Sequence, residues 1–383
     1  METFTGHMVI KPSREKKTVT IVEVAEQAGV SIATASRALS GRGYASAAVK
    51  ERVRQAARQL NYRFNASARS LKVRRTNTIG LIITDITNPF YAYLASGVLD
   101  CAKEKGYHVV VCATNEDAQI ERDDLNILME QRVDGIIAVP SGDNRRLWNQ
   151  LVEMNTELVL VDREIQGGPQ ADTVLIDNVK GAYLATEYLI HLGHSRIGLI
   201  NGPTNTTTGK DRAKGYLEAL KDAGLSADPN LIQGSSFMRE SGYLAVAALL
   251  ALPEPPTAIF AANNVLGEAA VFSLREHGLQ IPKDISLLMF DDVPWAALIQ
   301  PSVTVIKQPT YNMGCMCLNM LDQRLQESAQ NSARRTPVKV VMNPELIERE
   351  SCQLLPKQVN IPSLPRDGIP SQSDSAYPLG GVK

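Results

Sequence analysis

Thr20-Ile-Val-Glu-Val-Ala-Glu-Gln-Ala-Gly29-Val-Ser31-Ile-Ala-Thr-Ala-Ser36-Arg37-Ala-Leu-Ser40 carries two short helices and the turn between them. Thr20 followed three residues later by Glu23 is a capping box, so a helix is predicted from Ile21. Val24, Ala25 and Ala28 share one face of it. Gly29 can adopt the left-handed backbone that stops the helix. Ser31 can then cap a second helix over 32–39, whose buried side is Ala35, Ala38 and Leu39. A third helix is predicted after Ser46, where Val49, Val53, Ala56, Ala57 and Leu60 recur at helical spacing. Lys50, Arg52, Arg54 and Arg58 occupy its other faces. Two short helices around a glycine turn form the helix-turn-helix pattern.

Charge says what such a head meets. Residues 1–75 hold 15 Lys and Arg against 5 Asp and Glu, a net of +10. The remainder holds 25 basic and 36 acidic residues, a net of −11, so the whole-chain value of −1 hides the split. A basic head on an acidic body is the footprint of nucleic-acid binding, not of a small bundle without a ligand.

The 383 residues are enough for two or three domains. No run of 18 apolar residues occurs, so no membrane span or membrane partner is expected. Met1 to Lys17 is polar and is read as a flexible extension, not a secretory signal. Cys101, Cys112, Cys315, Cys317 and Cys352 show no metal-ligand spacing and suit a reducing cytoplasm. From Ile361 onward the chain is rich in Pro, Gly and Ser, and 351–383 is expected to be a disordered tail. No G-x-G-x-x-G follows the first apolar run, and neither G-x-x-x-x-G-K-[ST] nor G-x-S-x-G occurs. The five histidines form no cluster. The expectation is a protein with no catalytic residue, no metal and no cofactor.

From Asn77 the chain alternates short apolar runs with segments of helical periodicity. The runs are 79–84, 109–113, 135–140, 158–162, 197–201, 258–261 and 286–290; helical patterns include 181–192 and 266–276. This is the βαβ signature of parallel sheets covered on both faces, so the fold class is α/β, with two sheets. Polar and aromatic residues gather just past the strand ends, where open α/β sheets bind ligands. They are Asn88, Phe90, Tyr91, Asp162, Arg163, Arg212, Phe237, Asn263, Asp291 and Gln308. Carboxylates, amides and guanidinium groups suit sugar hydroxyls, and aromatic faces suit sugar C–H surfaces.

These features together resemble the LacI/GalR family of bacterial transcription regulators. The head is similar without a gap from Val19 to Lys72, and the resemblance continues to about Glu350. It implies that Ile32, Ala33 and Arg37 read base edges in the major groove, with Arg37 suited to guanine. Thr20, Ser31, Thr34, Ser36 and Tyr62 would hold phosphates, which fixes register but not sequence. The stretch 65–72 resembles the family's hinge helix, about two turns long and too short to persist alone in water. Within it Asn65 opens the segment, Ala68 is small where two hinge helices would meet, and Leu71 matches a minor-groove wedge. Phe64 stands where proline is frequent.

The implied layout is a helix-turn-helix domain over 18–64, a hinge and linker over 65–76, and a body over 77–350 of the periplasmic-binding-protein type. Lobe one is expected over 77–176 and 307–340, lobe two over 177–306. The ten strand-end residues also resemble the pocket of ribose-binding proteins, with two departures: Val139 replaces a polar amide, and Asn264 stands where an acidic residue is common. The resemblance therefore implies a homodimer on operator DNA, most often a repressor, controlled by a pentose-like monosaccharide. A purine or sugar phosphate effector, co-repression and activation are the alternatives.

Overall fold

A computed structural model describes residues 19–40, 44–62, 76–330 and 335–355. The chain divides into two compact units, Met1–Thr76 and Asn77–Lys383.

The head has three helices: α1 (Ile21–Ala28), α2 (Ile32–Ser40) and α3 (Ala47–Gln59). The capping box forms, with the Thr20 N–H donating to the Glu23 carboxylate at 2.6 Å. Gly29 ends α1 at φ 63°, in the region where a side chain is disfavoured. Ser31 Oγ accepts from the Thr34 N–H at 3.2 Å, and Ser46 caps α3. Val24, Ala25, Ala28, Ala35, Ala38, Val53, Ala56 and Ala57 are the buried core. Small side chains let three short helices approach closely, but they bury little apolar area each.

The body is two α/β lobes. Lobe one runs β1 (Thr78–Ile83), α4 (Pro89–Lys105), β2 (His108–Ala113), α5 (Ala118–Glu130), β3 (Gly135–Ala138), α6 (Arg145–Glu153), β4 (Glu157–Val161) and β5 (Asp172–Ile176). Lobe two runs α7 (Asn178–His191), β6 (Ile197–Ile200), α8 (Thr207–Asp222), β7 (Ile232–Gln233), α9 (Arg239–Leu250), β8 (Ala258–Ala261), α10 (Asn264–Glu276), β9 (Ser286–Phe290), α11 (Pro294–Leu298) and β10 (Thr304–Lys307). The chain then returns to lobe one through α12 (Thr310–Ala329) and β11 (Lys339–Met342), and ends its regular structure with β12 (Glu345–Ile347) in lobe two. The sheet orders are β11-β5-β4-β3-β1-β2 and β12-β10-β9-β8-β6-β7. Every pairing is parallel except β10 with β12.

β5, β7, β10, β11 and β12 go beyond the seven apolar runs. β7 has two residues and β12 three, too few to show a period. β11 is an edge strand and half-exposed, so it lacks a continuous apolar run.

The span 177–306 is too short for lobe two, because Lys307 of β10, β12 and residues up to Leu355 also pack there. Ser351 is buried, accepting from the Thr304 N–H at 2.8 Å, and the Leu355 N–H donates to Leu192 O at 2.8 Å. The expected tail thus gives up 351–355 to the fold. In lobe one, Asp172 is wholly buried at the start of β5. Arg324 of α12 grips it at 2.5 and 3.0 Å, Arg335 at 2.8 Å, and the Val338 N–H at 2.8 Å. These bonds tie the returning segment to the sheet.

Candidate functional site

Both sheets point the carboxyl ends of their strands at one cleft, a cavity of about 550 Å³. β4 delivers Asp162 and Arg163, β8 leads into Asn263, β9 delivers Asp291, and β10 delivers Gln308. Asn88 caps α4 and sets Phe90 and Tyr91 in its first turn, while Arg212 projects from α8. All ten residues singled out from the sequence line this cavity. Asp162 and Asp291 sit at φ 66° and 77°, a left-handed backbone that is costly for a non-glycine residue.

Hydrogen bonds hold the set in place. The Arg163 guanidinium meets the Glu116 carboxylate in two bonds, 2.6 and 2.7 Å, and lies over the Phe237 ring at 5.4 Å. Arg212 donates to Asn178 Oδ1 at 2.8 Å and to the Ala262 carbonyl, and stacks on Phe290 at 3.8 Å. Asp291 accepts from Gln308 Nε2 at 2.6 Å and from the Asn264 N–H at 3.2 Å. Asn263 uses Oδ1 to cap α10 at the Leu266 N–H, 2.8 Å. Gln308 Oε1 is buried with no hydrogen-bond partner among the described residues. Burial raises the carboxyls of Asp162 and Asp291 above the usual range; Arg163 and Arg212 oppose this at Asp162, and Arg212 opposes it at Asp291. Burial also pushes the Tyr91 phenol up.

Two residues central to this geometry were absent from the sequence-derived set. Glu116 lies three residues beyond β2, at φ 60°, in a run of four polar residues from which no local signal separates it. Asn264 was visible only as a departure. The other departure, Val139, is buried in the lobe-one core and does not line the cavity. Rim residues Arg239 and Glu268 pair at 2.9 Å.

On the head, Thr20, Ser31, Ile32, Ala33 and Arg37 are exposed, Ile32 by 50% despite its apolar side chain. Thr34 and Ser36 are half-buried. Tyr62 is also half-buried and packs against the head core. Thr34 Oγ1 pairs with Ser31 Oγ at 2.8 Å and accepts from Arg37 at 3.4 Å, which orders the start of α2. Asn65, Ala68 and Leu71 lie outside the described residues. Among the described residues no helix is long and apolar enough to cross a membrane, and no group of His, Cys, Asp or Glu could hold a metal ion.

A helical head with an exposed second helix, joined in one chain to a two-lobed α/β body with a polar cleft, defines a ligand-responsive DNA-binding regulator. Residues 76–343 match the model for periplasmic binding proteins and the sugar-binding domain of the LacI family, and residues 20–65 match that for bacterial regulatory proteins of the lacI family. The chain belongs to the LacI family. It is similar to the HTH-type transcriptional repressor PurR of Aliivibrio salmonicida, 34% identical over 88% of this chain and 99% of that protein. It is also similar to the ribose operon repressor of Haemophilus influenzae, 33% identical over 87% of this chain and 98% of the other. Among solved structures, the complex of the transcriptional regulator CelR with cellobiose superposes with a TM-score of 0.66 at 32% identity, covering 87% of this chain and 99% of that one.

Proposed function

We propose that this chain is a cytoplasmic, non-enzymatic repressor that binds operator DNA as a homodimer and is released by a neutral monosaccharide, with a ribose-like pentose as first choice. The observation that carries the sugar reading is Gln308 Oε1, a buried acceptor without a partner among the described residues on a side chain that lines the cleft, which an O–H group would satisfy. Around it, Asp162, Asp291, Arg163 and Arg212 supply charged acceptors and donors for further hydroxyls. Phe90, Tyr91, Phe237 and Trp295 supply apolar faces for C–H groups. The charge of the lining opposes an anionic effector. Six carboxylates (Asp85, Glu116, Asp162, Glu240, Glu268, Asp291) face three arginines (Arg163, Arg212, Arg239), so a phosphate would enter an acidic site. The names of the ribose operon repressor and of the cellobiose complex support a carbohydrate.

On DNA, Arg37 is assigned to a guanine, Ile32 and Ala33 to apolar base edges, and Thr20, Ser31, Thr34, Ser36 and Tyr62 to phosphates. Two half-sites on a palindrome call for two copies of the chain. Asn65, Ala68 and Leu71, outside the described residues, are assigned to DNA contact. The effector needs only a differential affinity for the two lobe arrangements, about 1–3 kcal/mol of coupling, to change occupancy.

A thermal-shift screen of pentoses, hexoses, their phosphates and purines tests the effector. A ligand at 100 times its dissociation constant adds about 2.7 kcal/mol to native stability. Stabilisation by a free pentose is the expected result; a response to purines or to phosphorylated sugars alone overturns the assignment.

A further inference from the structure

Asn264 stands where the two lobes meet. It opens α10 in lobe two and is 3% exposed. Its Nδ2 faces two acceptors, Asn88 Oδ1 of lobe one at 2.8 Å and Asp291 Oδ2 at 3.4 Å. Its backbone N–H donates to the same Asp291 oxygen at 3.2 Å. Asn88 Oδ1 also accepts from the Phe90 N–H at 3.0 Å, where it caps α4. One amide thus links the first turn of α4 to the end of β9 through the chain's own atoms.

We propose that Asn264 is a latch and positioning residue: it favours the closed arrangement of the two lobes and holds the Asp291 carboxylate in register for a ligand. The two atoms it faces are both acceptors, so only a donor fits between them. An amide NH2 supplies two hydrogens. A carboxylate at this position supplies none, and it would stand against Asn88 Oδ1 and the Asp291 carboxylate. That loses a buried hydrogen bond and adds like-charge repulsion. Asparagine and aspartate, nearly equal in shape, therefore act in opposite directions here.

The latch also decides what Asn88 offers to a ligand. Its Oδ1 is engaged by two N–H groups, so its free hydrogen-bonding capacity lies in Nδ2. A ligand atom at Asn88 must accept. Further contacts across the cleft include the Glu164 N–H to Thr207 Oγ1 at 3.2 Å and the Arg163 guanidinium over Phe237.

The latch uses only protein atoms; its effect on ligand affinity rests on the sugar reading, and two readouts separate them. The first uses the full chain with a dye pair, one dye on the outer surface of each lobe, and no added sugar. N264D should shift the distance distribution toward the open form, lowering the closed-to-open ratio by about tenfold at neutral pH. Lowering the pH to about 5 should restore closure, because a protonated carboxyl regains a donor. The charged groups sharing this cavity are Asp291 from β9, Asp162 and Arg163 from the end of β4, Arg212 from α8, Asp85, Glu116, Arg239, Glu240 and Glu268 on α10 itself, and the wild type under the same titration controls for them. Should N264D fail to fold by circular dichroism, N264A carries the test: it removes the donor without adding charge and should shift the distribution less. A wild-type distribution in the folded variant at neutral pH, or an N264D shift that acid leaves in place, overturns the latch. The second readout is a D-ribose titration, in which N264D should bind at least tenfold more weakly than wild type. Equal affinity overturns the positioning role; a wild type that ignores D-ribose overturns the choice of sugar and leaves the dye result standing.

Discussion

The head and the body are built over different distances along the chain. In the head, each helix is set by signals within about four residues: the Thr20–Glu23 box, Gly29, Ser31 and Ser46. Its core is six alanines and two valines. In the body, elements are tied by partners far apart in sequence, as where Arg324 closes on Asp172, 152 positions away. Its cores hold wholly buried Trp148, Tyr216, Phe260 and Phe290. The lesson concerns where a small change matters. A cap bond is a large share of what holds so small a core, whereas the body is most sensitive where a buried charge could lose its partner.

That contrast can be broken at its strong end first. Arg324→Ala removes the main partner of a wholly buried carboxylate and should destabilise lobe one by about 3–5 kcal/mol. Urea unfolding followed at the buried Trp148 reads it. A shift within about 0.5 kcal/mol of wild type would mean that Arg335 and the Val338 N–H suffice.

Arg37→Ala should weaken operator binding by roughly 1–3 kcal/mol and relax sequence choice, with effector affinity unchanged. A mobility-shift titration on specific and scrambled duplexes measures both. Equal losses on the two duplexes would reassign Arg37 to phosphate.

Thr20→Ala removes the side chain of the cap and should cost the head about 1 kcal/mol, with no change in the Trp148 transition. Helical circular dichroism during mild heating separates the two events. A matching shift at Trp148 would dissolve the distinction between local and long-range construction.

The smallest expected effect is a pH slope in the body. His194 is buried between Thr257 Oγ1 at 2.8 Å and Gln353 O at 3.2 Å, and burial lowers its pKa. The unfolded chain therefore takes up this proton first as pH falls. The stability it contributes is complete above the ordinary histidine pKa of about 6.5 and is lost as pH falls below it toward the folded-state value. Urea midpoints at two pH values on either side of that point should show the slope, and His194→Gln should flatten it.

Much of the site could be read in advance because the strand-end rule is local. Asp162 and Asp291 each follow an apolar run directly, and a chain that leaves a buried strand there faces the cleft. Glu116 lies three residues beyond its strand, among four polar residues in a row, where nothing local picks it out. Asn264 could be noticed but not understood, because its partner Asn88 is 176 positions away. β12 and the stretch around Ser351 were beyond reach for the same reason: they bury themselves against strands already formed, with little period of their own.

The amino-acid order alone specified the helical head, the split of charge between head and body, the alternating α/β plan and the ten residues that meet at one cleft. These follow from caps, periodicity and the direction of a parallel strand, which act over a few residues. Only the tertiary structure decided which strands return to which lobe, that Glu116 holds Arg163, and that one asparagine amide spans the cleft. Hydrogen bonds between distant segments depend on where whole lobes place their ends, and no local spacing encodes that.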